Sequence, residues 1–282
     1  MPPTPTDREA ARAANRARFA RLIARPDADI DLATGAFLVA ADDRPGLDQR
    51  PTLDRLEQLA DRVRARFERG DSEAVVIDRL HSVLYREVGF RGPSATELAD
   101  ADNSLLDRVV ERRTGLPISL AVVELEIGWR LGLPLSGVGL PGHFIVGGPD
   151  GALYDPAGAG RHLTRDDCQA LLRRSLGPGV LFHAGMVRPV GRREILARML
   201  RNLRAARLAE RDWPAALGII ELLTIVEPTD VDHGRDRGLL LGRMGRFSEG
   251  IRLLSGYLEQ QPESVDADDV QTVIEIFRGR RN

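Results

Sequence analysis

His143 and Asp155 are the two residues whose types and spacing most directly suggest chemistry. His143 follows Pro141-Gly142 and precedes the apolar pair Phe144-Ile145; Asp155 stands twelve positions later, before Pro156. Between them lies Gly147-Gly148-Pro149-Asp150-Gly151, a run with the composition of a hairpin turn. Strands joined there would be antiparallel neighbours, and the carboxylate could reach one imidazole nitrogen. An Asp so placed fixes the ring tautomer and raises the basicity of the other nitrogen. That is the base-and-orienter half of a nucleophilic triad. The bland alternative is a strand-start His beside an Asp-Pro that merely ends a strand.

The nucleophile half is missing where chain order would put it. Positions 115–121 read GLPISLA, with no cysteine, and a thiol nucleophile acts as its thiolate. Ser119 is the hydroxyl of that segment, and Thr114 lies on the preceding turn. A helix N-terminus there would stabilise negative charge, though Ser near a helix start is commonly a cap. The single cysteine, Cys168, lies thirteen positions past Asp155 and reads as a small buried hydrophobe.

Other chemistries are weaker. All 40 basic residues are Arg, which cannot act as a general base or Schiff-base amine, so lysine-dependent mechanisms drop out. The five histidines, His81, His143, His162, His183 and His233, show no HxxxH or HxH spacing, and there is no CxxC. No metal and no cofactor are expected. His162, near Asp166 and Asp167, reads as a loop residue. Gly147, Gly148 and Gly151 form no phosphate loop, since no Gly-Lys helix start follows. The pairs Arg112-Arg113, Arg173-Arg174 and Arg192-Arg193 read as solvated faces, and a net charge of -2 supplies no field for nucleic acid or an anionic membrane.

The elements that must position these residues follow from periodicity. A polar helix fills the first ~25 residues, ending near Arg25-Pro26. A short apolar helix runs from Asp31 to Ala41. Thr52 is placed as the cap of a long amphipathic helix with Leu53, Leu56, Leu59, Ala60, Val63 and Phe67 inward. Another helix, carrying Val75, Val76, Leu80, Val83 and Leu84, ends at Gly89-Phe90-Arg91-Gly92-Pro93. Asp102 or Asn103 caps a helix over 105–113, with Gly115 as its C-cap. Pro117 suits the first turn of the next, which buries Leu120, Val123, Ile127 and Leu131. The period then becomes strand-like, giving strands over 135–140, 143–146 and 152–154. Thr164 and Asp167 have capping-box spacing for a helix through Leu176.

The tail is helical and repeats. Trp213 and Phe247 are 34 apart, as are Pro228 and Pro262, the period of tetratricopeptide units. Ala216 has Gly250 as its counterpart. Two units cannot bury a continuous core, since ~3 are needed; the tail therefore needs the first domain or 264–278 as a cap. Trp213, Leu217, Phe247 and Ile251 are expected to face inward.

At 282 residues, 43% hydrophobic and 29% charged, the chain suits two domains of an ordinary globular protein. No apolar run reaches ~18 residues. The N-terminus lacks an apolar core, so a secretory signal is not expected. One cysteine fits a reducing cytoplasm.

The chain resembles the bacterial YchA-like, SirB-type family of transglutaminase-like proteins with a tetratricopeptide-like tail. The motifs that carry this are GFRGP at 89–93, NSLLDRVVERRTGLPISL at 103–120, RLGLPL at 130–135, GVGLPGHFIV at 137–146, LYDPAGAG at 153–160 and RDRGLLLGRMGRF at 235–247. The resemblance implies an α+β, mostly helical protein. A helical N-terminal region (1–95) would pack on a transglutaminase-like, papain-like core with a small antiparallel sheet (96–186). A helical repeat tail (187–282) would follow. It also implies a cysteine position close to Pro117, with Ser119 reached by a register slip of two, and assigns the other two triad positions to His143 and Asp155. Glu124 departs from the aromatic the family pattern implies there. A non-catalytic module binding a peptide or protein is the leading expectation. The alternative is a hydrolase or acyltransferase using Ser119, His143 and Asp155; a further one leaves the His–Asp pair structural and all function in the tail.

Overall fold

A computed structural model describes residues 5–280; the first four residues of the expected N-terminal helix lie outside the described residues. The chain divides into two compact units, with the boundary between Met199 and Leu200.

The first unit is a helical layer around a small sheet. Helices α1 (Pro5–Ile23), α2 (Leu32–Asp43) and α3 (Arg50–Arg64) come first. α2 is apolar along most of its length and buried on nearly every side, as a helix without a polar face must be. Asp31 caps it, accepting the Thr34 N–H at 2.8 Å. α3 starts three residues earlier than expected: Thr52 sits inside the helix, buried, and no side chain caps the start. Phe67 falls beyond the last turn and is 39% exposed, so it is not part of the buried face. α4 (Glu73–His81) is capped by Ser72 and runs on through a π-helical segment, Ser82–Glu87.

The start and stop of α5 (Leu106–Arg112) also differ from expectation. Asp100 caps a 3-10 turn over Ala101–Ser104, and Leu105 enters α5 without a side-chain cap. Arg113, not Gly115, takes the left-handed C-cap conformation, at φ 58°. Gly115 is small for a different reason: a Cβ there would stand 2.8 Å from a Val109 methyl. The same segment is tied to GFRGP, since Arg91 N–H donates to the Arg113 carbonyl (2.9 Å) and Gly115 N–H to the Arg91 carbonyl (3.2 Å). This seats α6 (Pro117–Arg130), which opens with Pro117 in its first turn.

The sheet has five short strands: β1 (Ser136–Val138), β2 (Ile145–Gly147), β3 (Leu153–Asp155), β4 (Arg161–His162) and β5 (Pro189–Val190). Their order is β4-β3-β2-β1-β5, antiparallel throughout. β1 to β3 match the expected strands. β4 and β5 were not expected, because two residues carry no period; His162 is therefore an edge-strand residue and not a loop. Strand side chains alternate between faces. Val138 and Ile145 pack with Leu140, Leu163, Cys168, Leu171 and Leu172, most of them from the approach to α7 (Arg165–Leu176) and α7 itself. Tyr154 points the other way, its ring 5.0 Å from that of His81. α7 carries the expected capping box: Thr164 and Asp167 bond reciprocally at its start.

The boundary falls within α8 (Arg192–Ala209). The second unit continues with α9 (Trp213–Val226), α10 (Asp232–Arg243), α11 (Phe247–Gln260) and α12 (Ala267–Arg280). α9 and α11 open 34 residues apart, as the repeat requires. One core joins Ala216, Leu217 and Ile220 to Leu240 and Leu241. A second joins Leu254 and Tyr257 to Val270, Ile274 and Phe277, so α12 acts as the cap. Trp213, Phe247 and Ile251 face these cores but are only half-buried. Gly250 holds the Ala216 position because a Cβ there would lie 2.8 Å from the Gly238 carbonyl oxygen. α10 and α11 touch backbone to backbone at that point.

Candidate functional site

His143 stands in the turn that feeds β2. Its N–H donates to the Leu140 carbonyl at 2.9 Å. The Leu140 and His143 carbonyls accept from Arg198 (3.4 and 3.1 Å). The Arg198 guanidinium also lies over the Phe144 ring, 5.2 Å from its centroid, a favourable cation–π placement. The turn is thus clamped from outside, and the imidazole is delivered against the last residue of β3. His143 Nε2 and Asp155 Oδ1 are 2.9 Å apart. Nδ1 makes no hydrogen bond among the described residues.

Asp155 does two things at once. It caps the Pro156–Gly158 turn, Oδ1 accepting the Ala157 N–H at 3.1 Å, and it accepts from His143. The strand-ending reading and the orienting reading are therefore both true of the same carboxylate. Gly158 makes room for it, since a Cβ there would stand 2.7 Å from Oδ2. Burial pushes the Asp155 carboxyl up. The His143 hydrogen bond and charge, with the Gly158 and Ala157 N–H groups, outweigh that and hold it below its ordinary value. The geometry suits an ionised carboxylate orienting an imidazole.

The pair lines a cleft of about 250 Å³ together with Ala157, Gly158, Arg161 and a row from α7: Asp167, Ala170, Leu171 and Arg174. Arg161 is paired with Asp167 at 2.7 Å. The sequence reading missed this α7 wall. Its signal was present in the helical spacing of Asp167, Ala170, Leu171 and Arg174, which puts them on one face, but nothing in the sequence said that this face meets His143. No residue of α6 is among those lining the cleft.

Ser119 lies on α6, fully buried, and its Oγ has no hydrogen-bond partner. Pro117 is at the helix entry and offers no N–H. Thr114 is buried, with its hydroxyl directed at the Arg112 carbonyl at 3.5 Å. Cys168 is fully buried in the apolar layer between sheet and α7, and that burial, then Asp167 and Asp155, push its thiol up. His143 and Asp155 are thus brought together by the fold, while neither Ser119 nor Cys168 lines their cleft.

A second polar cluster, unread in the sequence, joins α6 to α4 and the π-helical segment that follows it. Glu124 on α6 is fully buried; its carboxylate meets His81 Nε2 at 3.0 Å and accepts from the Tyr85 hydroxyl. Burial and then the Glu124 charge push the Tyr85 phenol well up. The available signal was an acid, Glu124, inside the apolar run of α6 that also holds Glu126.

Residues 50–201 match the transglutaminase-like superfamily, and residues 203–275 match a tetratricopeptide repeat. A UPF0162 protein of Xylella fastidiosa is 33% identical over 251 residues, covering 87% of this chain and 89% of its own. The UPF0162 protein YchA of Escherichia coli is 25% identical over 248 residues, covering 86% and 91%. Human F-box only protein 21 is 32% identical over 142 residues, 46% of this chain and 22% of that protein. No solved structure matches. With its helical first unit, small antiparallel sheet and repeat tail, the chain belongs to the UPF0162 family of transglutaminase-like proteins.

Proposed function

We propose that this chain is a non-catalytic transglutaminase-like protein that binds a peptide or protein segment in the cleft over His143 and Asp155. One observation carries the reading: the His–Asp pair opens onto a cleft walled by α7, and no Cys, Ser or Thr lines it. An imidazole oriented by a carboxylate can still bind, through its second nitrogen, a backbone N–H or a carboxylate. Arg174 and the small residues Ala157, Gly158 and Ala170 suit an extended segment running beside the edge strand β4. The repeat unit supplies a further surface of the kind that holds protein ligands. A single buried thiol fits residence in a reducing cytoplasm, and no helix of the described residues is long and apolar enough to cross a membrane.

Panning the full chain against a displayed library of random peptides tests this. Enriched peptides should bind the protein, bind Ser119→Ala equally, and lose at least about tenfold in affinity, ~1.4 kcal/mol, with Arg174→Glu. The competing reading is the serine hydrolase, favoured by an orphaned hydroxyl in the first turn of α6, Ser119 Oγ. Fluorophosphonate labelling of Ser119 that disappears in His143→Ala would establish it and sink the binding reading.

A further inference from the structure

We propose that Glu227, Asp230 and His233 form a binding site for one divalent transition-metal ion, of the zinc class, at the turn between α9 and α10. The three residues follow one another at intervals of three along a helix–turn–helix corner. Glu227 is the residue that ends α9, its N–H donating to the Leu223 carbonyl at 2.8 Å. Asp230 lies in the turn, its N–H donating to the Glu227 carbonyl at 3.1 Å. His233 is in the first turn of α10.

The observation that points to a ligand is the imidazole. His233 is only 4% exposed, and neither ring nitrogen has a hydrogen-bond partner. A polar group left buried without a partner is destabilising, so the site has a strong reason to acquire one. Nε2 is aimed at the two acids: it lies 3.4 Å from Glu227 Oε2 and 3.7 Å from Asp230 Oδ2. One ligand atom from each of the three residues falls within 4.8 Å of the others. Those separations are too long for good hydrogen bonds. They are the right length for the edges of a coordination tetrahedron, since zinc bonds of ~2.0–2.2 Å put neighbouring ligands roughly 3.3–3.6 Å apart.

The acids are also set up for it. Each has one oxygen held and the other turned to His233. Glu227 Oε1 is paired with Arg201, while Oε2 is buried and without a partner. Asp230 Oδ1 accepts the Asp232 N–H at 3.0 Å, leaving Oδ2 facing the ring. Arg201 and the Asp232 N–H therefore act as the outer shell that orients ligating carboxylates. With a neutral imidazole, the three ligands present two negative charges to the ion. The Asp230 side chain is 41% exposed, which gives the ion a route in and leaves water to complete its coordination. One nitrogen with two carboxylate oxygens suits zinc and its neighbours, while calcium needs six to eight oxygens. The histidine spacings that usually flag a zinc site are absent here because a single His takes part.

The test uses the full chain, stripped with EDTA and titrated with zinc chloride by calorimetry. One equivalent should bind, with a rise in melting temperature, and calcium chloride should give neither. His233→Gln should abolish the binding. Asp230→Asn changes a partly exposed residue, leaves the fold intact, and should weaken zinc by about tenfold or more, a loss of the size that ligand-shell changes produce. His143→Ala, at the His–carboxylate pair of the cleft, should retain the full equivalent. Absence of stoichiometric zinc binding by the unsubstituted chain would overturn the assignment. Zinc binding undiminished in both Asp230→Asn and His233→Gln, or lost in His143→Ala, would overturn it equally.

Discussion

Glu124 and His81, 43 residues apart in the chain, meet at 3.0 Å with the Glu124 side chain wholly removed from solvent. The contact joins α4 to α6. Tyr85 takes the other Glu124 oxygen. Removing the acid strands two buried polar groups. Glu124→Ala should therefore cost on the order of 3–5 kcal/mol in urea unfolding, and Tyr85→Phe about 1–3 kcal/mol. Additive losses in the double variant would show that the three side chains do not act as one network.

The cleft pair should leave a mark on acid stability. Asp155 has a folded pKa below its unfolded value of ~3.9. The unfolded chain then binds more protons, so stability rises with pH in that range. The contribution is fully present above about pH 4–5 and is lost as pH falls through the depressed value. Asp155→Asn should flatten the acid limb of the stability curve and leave less pH dependence between about pH 3 and 5. An acid limb identical to that of the unsubstituted chain would contradict the pairing with His143.

Cys168 should be inert in the folded protein. It has no exposure, and burial raises its thiol above the ordinary range, so both access and thiolate fraction are low. Iodoacetamide at neutral pH should modify it only after denaturation, and binding activity should survive the treatment. Native-state alkylation at the rate of a free thiol would show that the layer between sheet and α7 opens readily.

The repeat unit has a backbone contact that tolerates no added carbon. A Cβ on Gly242 would run into the Phe277 ring, and one on Gly250 into the Gly238 carbonyl. Gly242→Ala should lower the melting temperature in spite of alanine's better helix propensity. Leu254→Ala, at a fully buried core position, should cost about 2–5 kcal/mol. Phe247→Ala should cost less than a fully buried Phe would, because that side chain is only partly buried.

Much of this was legible before any coordinates. The three central strands, the capping box at Thr164, the 34-residue repeat and the pairing of His143 with Asp155 all follow from local rules: turn composition, period and cap spacing. What failed to show was what depends on approach. Gly115 looks like a helix C-cap from sequence, yet its role is to let Val109 close on it, and Arg113 carries the left-handed turn. Thr52 looks like a cap but is buried within α3. The α7 wall of the cleft is visible as a helix face but not as a neighbour of His143. Glu124 stands out only as an acid in an apolar run, because its partners come from a different helix. The 227–230–233 corner escaped for the same reason: its carboxylates lie on a turn, and only the fold aims them at one ring.

The sheet order has a consequence for how the chain acquires its shape. Four of its strands, β1 to β4, are laid down as a meander between Ser136 and His162 with each strand beside its sequence neighbour. Only β5 must return from a distance to close on β1. Short loops close at low entropic cost, and contacts between near neighbours in sequence form early. The corner that holds His143 against Asp155 can therefore assemble while the repeat helices are still emerging from the ribosome. Errors in the tail would then reach the cleft late, after its geometry is already in place.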